Sequence, residues 1–560
     1  MGPDANRKLR VAVVVPAKKL HCLASPVWVQ RYGPLQVASA AAGAGYPVRL
    51  FNEELGPMVA AASLAREFDV VGFSCKSSAL TRAEDIAGEV KAEASRTGRN
   101  VVTVLGGEHV SMEGDGEGDG EGNGEGAGSF RSRRSGHFDY FLRGEAEQAF
   151  VTLLNSLDTV RGGIGVVPPL TLEDHHTCER FDNIPDLSLC SEYMETVGGF
   201  MFRHFPLLWC ISRGRAPLLT FQGSRGCPYN CSFCPSPTLL QSRVYRRRSV
   251  ESAVACLREH ARISGIRHVM FEDPTAALPF SSESHRFFKA LADNPTGLKA
   301  TLLVRADLCR DTELLRLMRA AGVTNLSVGI ESLNDRTLGD FRKNISYETS
   351  REAVDIFHGL GFTITGLFIA GYDTDGPDCF DRMVEFIRET GIEKWRVTPL
   401  GQMLETGGQF MPAHRYFLWD EFRRFGRDVI DYGNGEFVLF YPRNMKPSEL
   451  QGKMMEFNLA VSGVADLARH VAAKRSAASV KQRILNVIAE KMVVKGIAAS
   501  GYMDMVREIE GEFYEENGPT ARLREDALVK RYREKKGLQK DAGRGAGTAA
   551  GIFPAAALAD

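Results

Sequence analysis

Three cysteines, Cys227, Cys231 and Cys234, stand in a Cys-x3-Cys-x2-Cys array within APLLTFQGSRGCPYNCSFCPS, residues 216–236. The loop that carries them leaves a short apolar, strand-like run, Leu218 to Phe221, and Gly223, Gly226 and Pro228 mark its turns. Thiolates crowded this closely suit a soft metal, and iron–sulfur clusters are held by cysteine thiolates, four for a cubane. Three cysteines leave one iron open to a substrate or cofactor. The competing readings are a structural zinc site and three plain buried thiols. Zinc in a structural site takes four closed ligands, and the loop contains no fourth Cys or His.

The chain as a whole places few other limits on function. Its 560 residues allow two to four domains. With 44% hydrophobic and 25% charged residues it has the composition of an ordinary soluble protein. A net charge of −1 gives no argument for nucleic acid or an anionic membrane. The apolar run Val11 to Ala17 is too short for a signal peptide and lacks a cleavage pattern. The stretch Gly198 to Ile211 is broken by Arg203 and His204, so no transmembrane segment is expected. Eleven cysteines, an odd number, suit a reducing compartment better than a disulfide framework, and a cytoplasmic location is expected.

Two α/β units must position the chemistry. Residues 1–155 alternate strand and helix: Leu9–Val15, Val48–Phe51, Asp69–Ser74, Val101–Leu105 and Tyr140–Leu142 read as strands, with helices near 33–45 and 81–93. That spacing predicts a doubly wound, Rossmann-like parallel sheet, whose ligands bind at the carboxyl ends of the strands. Ser74, Cys75, Lys76, Gly106, Gly107, Glu108 and His109 fall on those loops. No GxGxxG follows the first strand, which argues against a dinucleotide. Residues 113–128, EGDGEGDGEGNGEGAG, cannot bury apolar area and read as a disordered insertion. After a linker over 156–205, residues 206–410 repeat the alternation, with strands at 218–221, 268–271, 300–304, 325–328, 363–369 and 394–398. Six strand–helix units predict a partial TIM-type (β/α)6 barrel, with Glu272, Asp273, Arg305, Glu331 and Gly371 around the mouth that holds the cysteine loop. A mostly helical region is expected over 411–540, with Met445, Met454, Met455 and Phe457 as core residues, and a disordered tail over 541–560.

RGCPYNCSFC, with Phe233 before the third cysteine, resembles the signature loop of the radical S-adenosylmethionine (SAM) superfamily. The resemblance implies a [4Fe-4S] cluster on Cys227, Cys231 and Cys234 whose open iron chelates SAM and cleaves it to a 5′-deoxyadenosyl radical. FEDP (271–274) is similar to the segment whose acids meet the SAM amine, and SVGIES (327–332) to the one whose Glu reaches the ribose. Glu272, Asp273, Glu331 and, for the SAM carboxylate, Arg305 are thus the implied SAM contacts, all chemically matched to its ammonium, diol and carboxylate. VTPLGQMLET (397–406) departs from the family's usual Pro-Gly-Thr at its sixth strand end, which leaves its role open. YGPLQVASAAAGAGYPVRLFNEE, VVTVLGGEH and FDYFLRGEAE resemble the cobalamin-binding domain of one large branch, which includes methyltransferases and anaerobic magnesium-protoporphyrin cyclases. There Ser74, Gly106, Gly107, His109, Gly144 and Glu145 would surround the corrin and its tail. The Asp-x-His-x-x-Gly motif of an axial histidine is absent, although His21 and His109 remain candidate ligands. The resemblance therefore implies methylation of an unactivated carbon in a small-molecule, lipid, tetrapyrrole or peptide substrate, fed by an external electron donor of flavodoxin or ferredoxin type. A ring-forming or oxidative radical reaction, and a carrier without catalysis, are the alternatives.

Overall fold

The first strand, VAVVV, is buried at all five positions because both of its faces are covered. Val11, Val13 and Val15 face a core that includes Leu35, Ala38 and Leu153, whereas Ala12 and Val14 face one that includes Leu64, Ile86 and Val90. The helices supplying these residues span Tyr32–Gly43 and Glu147–Arg161 on one side, and Ala61–Glu67 and Leu80–Arg96 on the other. The sheet between them is wholly parallel: β1 (Val11–Val15), β3 (Val48–Asn52), β4 (Val70–Ser74), β5 (Val102–Gly106), β6 (Tyr140–Gly144) and β7 (His175–His176), in the order β3-β1-β4-β5-β6-β7. Connections run in opposite directions from β1, so a crevice opens between the carboxyl ends of β1 and β4. The computed structural model describes residues 8–18, 29–112, 136–161, 175–179, 181–190, 218–234, 236, 243–263, 267–400, 415–416, 421–422, 424–473 and 477–517. The acidic insertion, His21, residues 401–406 and the tail lie outside them, as does most of the expected linker.

The second sheet contains the six expected strands in sequence order: β8 (Leu218–Phe221), β11 (His268–Phe271), β12 (Lys299–Arg305), β13 (Val323–Glu331), β14 (Thr363–Ala370) and β15 (Lys394–Pro399). All pair parallel, as an open half-barrel requires. Local sequence explains the helices between them. Asp311, for example, caps Thr312–Ala320 by accepting from the Leu314 amide at 3.0 Å, and Leu314, Leu315 and Met318 fill the core. Two further strands, β9 (Ser224–Arg225) and β10 (Arg246–Arg247), form an antiparallel ribbon at the mouth.

Neither that ribbon nor β7 was expected, and a further unexpected strand joins the half-barrel. β2 (Val29–Gln30), from the region read as the first domain, adds to the half-barrel beside Leu218 and Leu219. Helix Tyr32–Gly43 follows at once, and its Tyr32 ring packs edge-on against Phe221 at 6.2 Å. The two sheets therefore share one continuous apolar core instead of meeting through a linker. At the other end of the chain, the turn Val429–Tyr432 returns to the first sheet: Ile430 joins its core and Thr81 Oγ1 donates to Asp431 at 3.1 Å. Helices Pro447–Ala460, Val464–Ala472, Ala477–Ala499 and Tyr502–Asn517 complete the carboxyl-terminal region. Met445, Met454 and Phe457 are buried core residues there. Among the described residues no helix is long and apolar enough to cross a membrane.

Candidate active site

The carboxyl ends of both sheets open onto one cavity of about 800 Å³, within the range of small-molecule and cofactor sites. The first sheet contributes segments 74–76, 106–108 and 144–147; the half-barrel contributes Thr220, Gln222, Glu272 and Asp273 among others. Gly107 has φ 98°, and a Cβ there would stand 2.7 Å from both the amide nitrogen and the carbonyl oxygen of Cys75. Only glycine lets these two loop ends touch. Lys76 reaches the cavity with Glu108 3.7 Å from its ammonium, and burial pulls its pKa below the ordinary lysine value. His109 departs from expectation: it is buried with Nδ1 3.3 Å from Ser77 Oγ and is not part of the cavity wall. It sits in the helix Glu108–Met112, one residue past Glu108, which does line the cavity.

The expected acids of the half-barrel divide between two tasks. Glu272 lines the cavity but accepts from the Tyr32 amide at 3.1 Å and from Arg31 at 3.4 Å, which fastens the first region to the second sheet. Asp273 also reaches the wall, yet its carboxylate accepts from the Gly223 amide at 3.1 Å and from the Ser224 hydroxyl. Burial pushes its pKa up to about 6. Asp273 thus organises the turn that leads into the cysteine loop, a narrower role than meeting a ligand ammonium.

That loop is fixed from several sides. The Ser232 amide donates to Phe341 O at 3.0 Å, and Phe233 packs on the Phe341 ring at 4.9 Å. Arg305 lies 3.8 Å over the Tyr229 ring and 3.7 Å from Cys231 Sγ, and donates to Asp307 at 3.1 Å and Lys343 O at 2.6 Å. Its guanidinium is so fully engaged that it braces the loop instead of waiting for a carboxylate. Glu331 has φ 64° and is held at 2.6 Å by Lys343 Nζ, at a register break between β13 and β14. Gly371 faces away: a Cβ there would meet Leu450 and Phe440 of the carboxyl-terminal region.

Cys227, Cys231 and Cys234 are all half-buried on this loop. Burial pushes the thiols of Cys227 and Cys234 up, so a metal must displace their protons to bind. Among the described residues no three His, Cys, Asp or Glu side chains converge at single-ion spacing. A cluster differs from zinc in this respect, because each thiolate binds a different iron. The donor set, three thiols and no carboxylate or imidazole, fits a soft cluster.

The other first-sheet acids are spoken for by protein. Glu145 accepts from Arg225 at 2.9 Å, Arg246 at 2.5 Å and the Cys178 amide at 2.9 Å, and Glu147 accepts from Arg225 at 2.5 Å. Burial alone would raise the Glu145 pKa, but the hydrogen bond and charge of Arg246 and the charge of Arg225 hold it below the usual carboxylate range. Gly144, at φ 74°, donates to Ser111 Oγ at 2.8 Å. Arg225, Lys343, Tyr32 and Glu147 were not singled out from sequence. Their charged partners lie dozens of residues away or more, except for Lys343, which is 12 residues from Glu331.

Residues 221–387 match the Radical SAM superfamily. Over this stretch the chain carries a Radical SAM domain. Among curated proteins it is similar to bacteriochlorophyllide d C-12(1)-methyltransferase of Chlorobaculum tepidum, at 27% identity over 38% of this chain and 45% of that protein. It is also similar to hopanoid C-3 methylase of Methylococcus capsulatus, at 29% over 43% and 44%. A third relative is the anaerobic magnesium-protoporphyrin IX monomethyl ester cyclase of Rubrivivax gelatinosus, at 23% over 57% and 54%. The chain spans about half the length of these relatives. Its fold is shared with the radical SAM methyltransferase TsrM from Kitasatospora setae, solved with cobalamin and a [4Fe-4S] cluster, at TM-score 0.58 and 14% identity, covering 88% of this chain and 100% of that one. The cobalamin-dependent SAM radical enzyme OxsB, solved with aqua-cobalamin, matches at TM-score 0.56 and 14% identity over 96% and 82%.

Proposed function

We propose that this chain is a cobalamin-dependent radical SAM enzyme that methylates an unactivated carbon of a small molecule, tetrapyrrole, lipid or peptide. The observation that carries the reading is a shared cavity into which the loop ends of both sheets open. A reaction that passes a group between two cofactors needs both held within contact of one substrate. When bound, the cluster and SAM would supply a hydrogen-abstracting radical and the cobalamin a methyl group. Cys227, Cys231 and Cys234 would hold the cluster, with Arg305 bracing the loop beneath them. Glu331, aimed by Lys343, would accept from a ribose diol, and Glu272 would present its carboxylate at the cavity wall. Segments 74–76 and 106–108 and Gly144 would cradle the corrinoid, with Gly107 permitting the close approach. All nine described cysteines are free, in keeping with a reducing compartment, and an external electron donor of flavodoxin or ferredoxin type would reduce the cluster.

Anaerobic reconstitution followed by iron, sulfide and cobalt analysis tests the cofactors. Incubation with SAM and a reductant should then give 5′-deoxyadenosine, and with substrate both S-adenosylhomocysteine and a methylated product. Protein that takes up only zinc and yields no deoxyadenosine would overturn the proposal. The cyclase relative supports a second reading, a radical reaction without methyl transfer, which would give deoxyadenosine but no S-adenosylhomocysteine.

A further inference from the structure

Glu145 and Glu147 belong to the cavity wall, where ligation of a bound cofactor would be their obvious task. Their hydrogen bonds indicate another. Arg225, two residues before Cys227, directs Nη1 to Glu145 at 2.9 Å, Nη2 to Glu147 at 2.5 Å and Nε to Gln222 at 2.7 Å. Its flat face covers the Phe181 ring at 4.5 Å. Arg246 opposes Arg225 across the β9–β10 ribbon and grips both oxygens of Glu145, at 2.5 and 3.0 Å. The Cys178 amide adds a bond to the same carboxylate at 2.9 Å, and the Cys178 thiol lies 3.6 Å from the remaining oxygen of Glu147.

Two carboxylates and two guanidinium groups thus form a neutral, buried quartet, with side chains 4–11% exposed. The acceptors of Glu145 are already occupied, so little capacity is left for a ligand. Removal of any one member strands a buried charge, the costly way to break such a group. The acids follow β6 of the first sheet directly, and the arginines flank the cysteine loop of the second. We propose that Glu145 and Glu147 are positioning residues for the cysteine-bearing loop, and not ligands of the group held by the first sheet. That the loop's cargo is a cluster rests on the function proposed above; the placement of the loop does not.

The test compares E147Q, E147D and R225Q with the wild-type full-length chain. In metal-free protein, iodoacetamide alkylation of Cys227, Cys231 and Cys234, resolved by peptide, should quicken roughly tenfold in E147Q and R225Q as the loop opens locally. E147D should return most of the protection. Alkylation of Cys309, buried in the half-barrel, should not change, which separates local opening from unfolding. Hydroxocobalamin should bind all variants within about twofold of wild type, because no ligand has been removed. After anaerobic reconstitution, the reduced-cluster EPR line shape should change in E147Q and recover in E147D. Unchanged alkylation in E147Q and R225Q would overturn the proposal, as would a tenfold loss of hydroxocobalamin affinity. If E147Q does not fold, E147D and R225Q decide by the same readouts. Wild-type protein that accepts no cluster would sink the reading of the cargo while the alkylation contrast still decides the placement.

Discussion

Lys343 Nζ lies 2.6 Å from Glu331 Oε1, and the pair occupies space that exists only because residue 329 is glycine. A Cβ on Gly329 would stand 2.5 Å from that carboxylate oxygen and 2.8 Å from the ammonium. Glu331 also holds a left-handed backbone conformation that non-glycine residues seldom adopt, a form of strain that collects at functional sites. K343M and E331Q should each weaken SAM binding roughly tenfold, the double variant being no worse than the weaker single one because the two act as a unit. Equilibrium dialysis of labelled SAM against reconstituted protein measures this. Fully additive losses would show that the pair does not act together.

The cysteine loop makes a simpler forecast. Alanine at Cys227, Cys231 or Cys234 should remove most bound iron and abolish deoxyadenosine formation. R305A should retain a cluster but lose it to a chelator roughly tenfold faster, since its guanidinium ties Tyr229, Cys231 and Lys343 O together. Iron release followed at fixed chelator concentration distinguishes the two kinds of variant.

Gly107 and Gly106 offer a paired comparison on the opposite wall. G107A faces both a positive φ and a 2.7 Å clash with backbone, whereas G106A meets Leu142 O at 3.4 Å. Hydroxocobalamin affinity should fall at least tenfold in G107A and by far less in G106A. Equal losses, read by spectroscopic titration, would remove Gly107 from the rim of the proposed corrinoid site.

Stability of the carboxyl-terminal helices should depend on pH through Glu490. This residue is buried, its Oε2 has no hydrogen-bond partner, and burial pushes its pKa up to about 7. A carboxyl whose folded pKa exceeds its unfolded value weakens folding as pH rises between the two, here from about 4.5 to about 7. E490Q removes that dependence. Well above pH 7 it should protect helix Ala477–Ala499 from hydrogen exchange more strongly than wild type, by up to about 3 kcal/mol, and the gap should close toward pH 4.5. A pH-independent difference would assign the effect to packing.

Periodicity made both sheets legible, because fully buried parallel strands read as apolar runs with turn residues at their ends. Strands Leu218–Phe221 and His268–Phe271 match the reading end for end. The cysteine loop was legible for another reason: its chemistry is local, three like residues within eight positions. Asp273 and Arg305 were found as charged strand ends, but their partners were not. The sequence cannot say whether a carboxylate turns to solvent, to a ligand or to the Gly223 amide. His109 was a candidate because it falls on a strand-end loop in the LGG-x-H block; in the structure it is buried beside Ser77, off the cavity wall. The Arg225 quartet was hidden because its members come from segments about 80 and 101 residues apart, so Glu145 was assigned to the corrin and the arginines to no partner.

The short strand Val29–Gln30 has an effect out of proportion to its two residues. By pairing with Leu218 and Leu219 it caps the flank of the strand from which the cysteine loop emerges. A truncated chain starting at the half-barrel would bare that flank, giving two such molecules an open ladder on which to zip together beside the three thiols. Attempts to trim this protein to its radical SAM portion should therefore yield aggregates with poor iron retention, and the amino-terminal segment is better regarded as a piece of the barrel than as a detachable accessory.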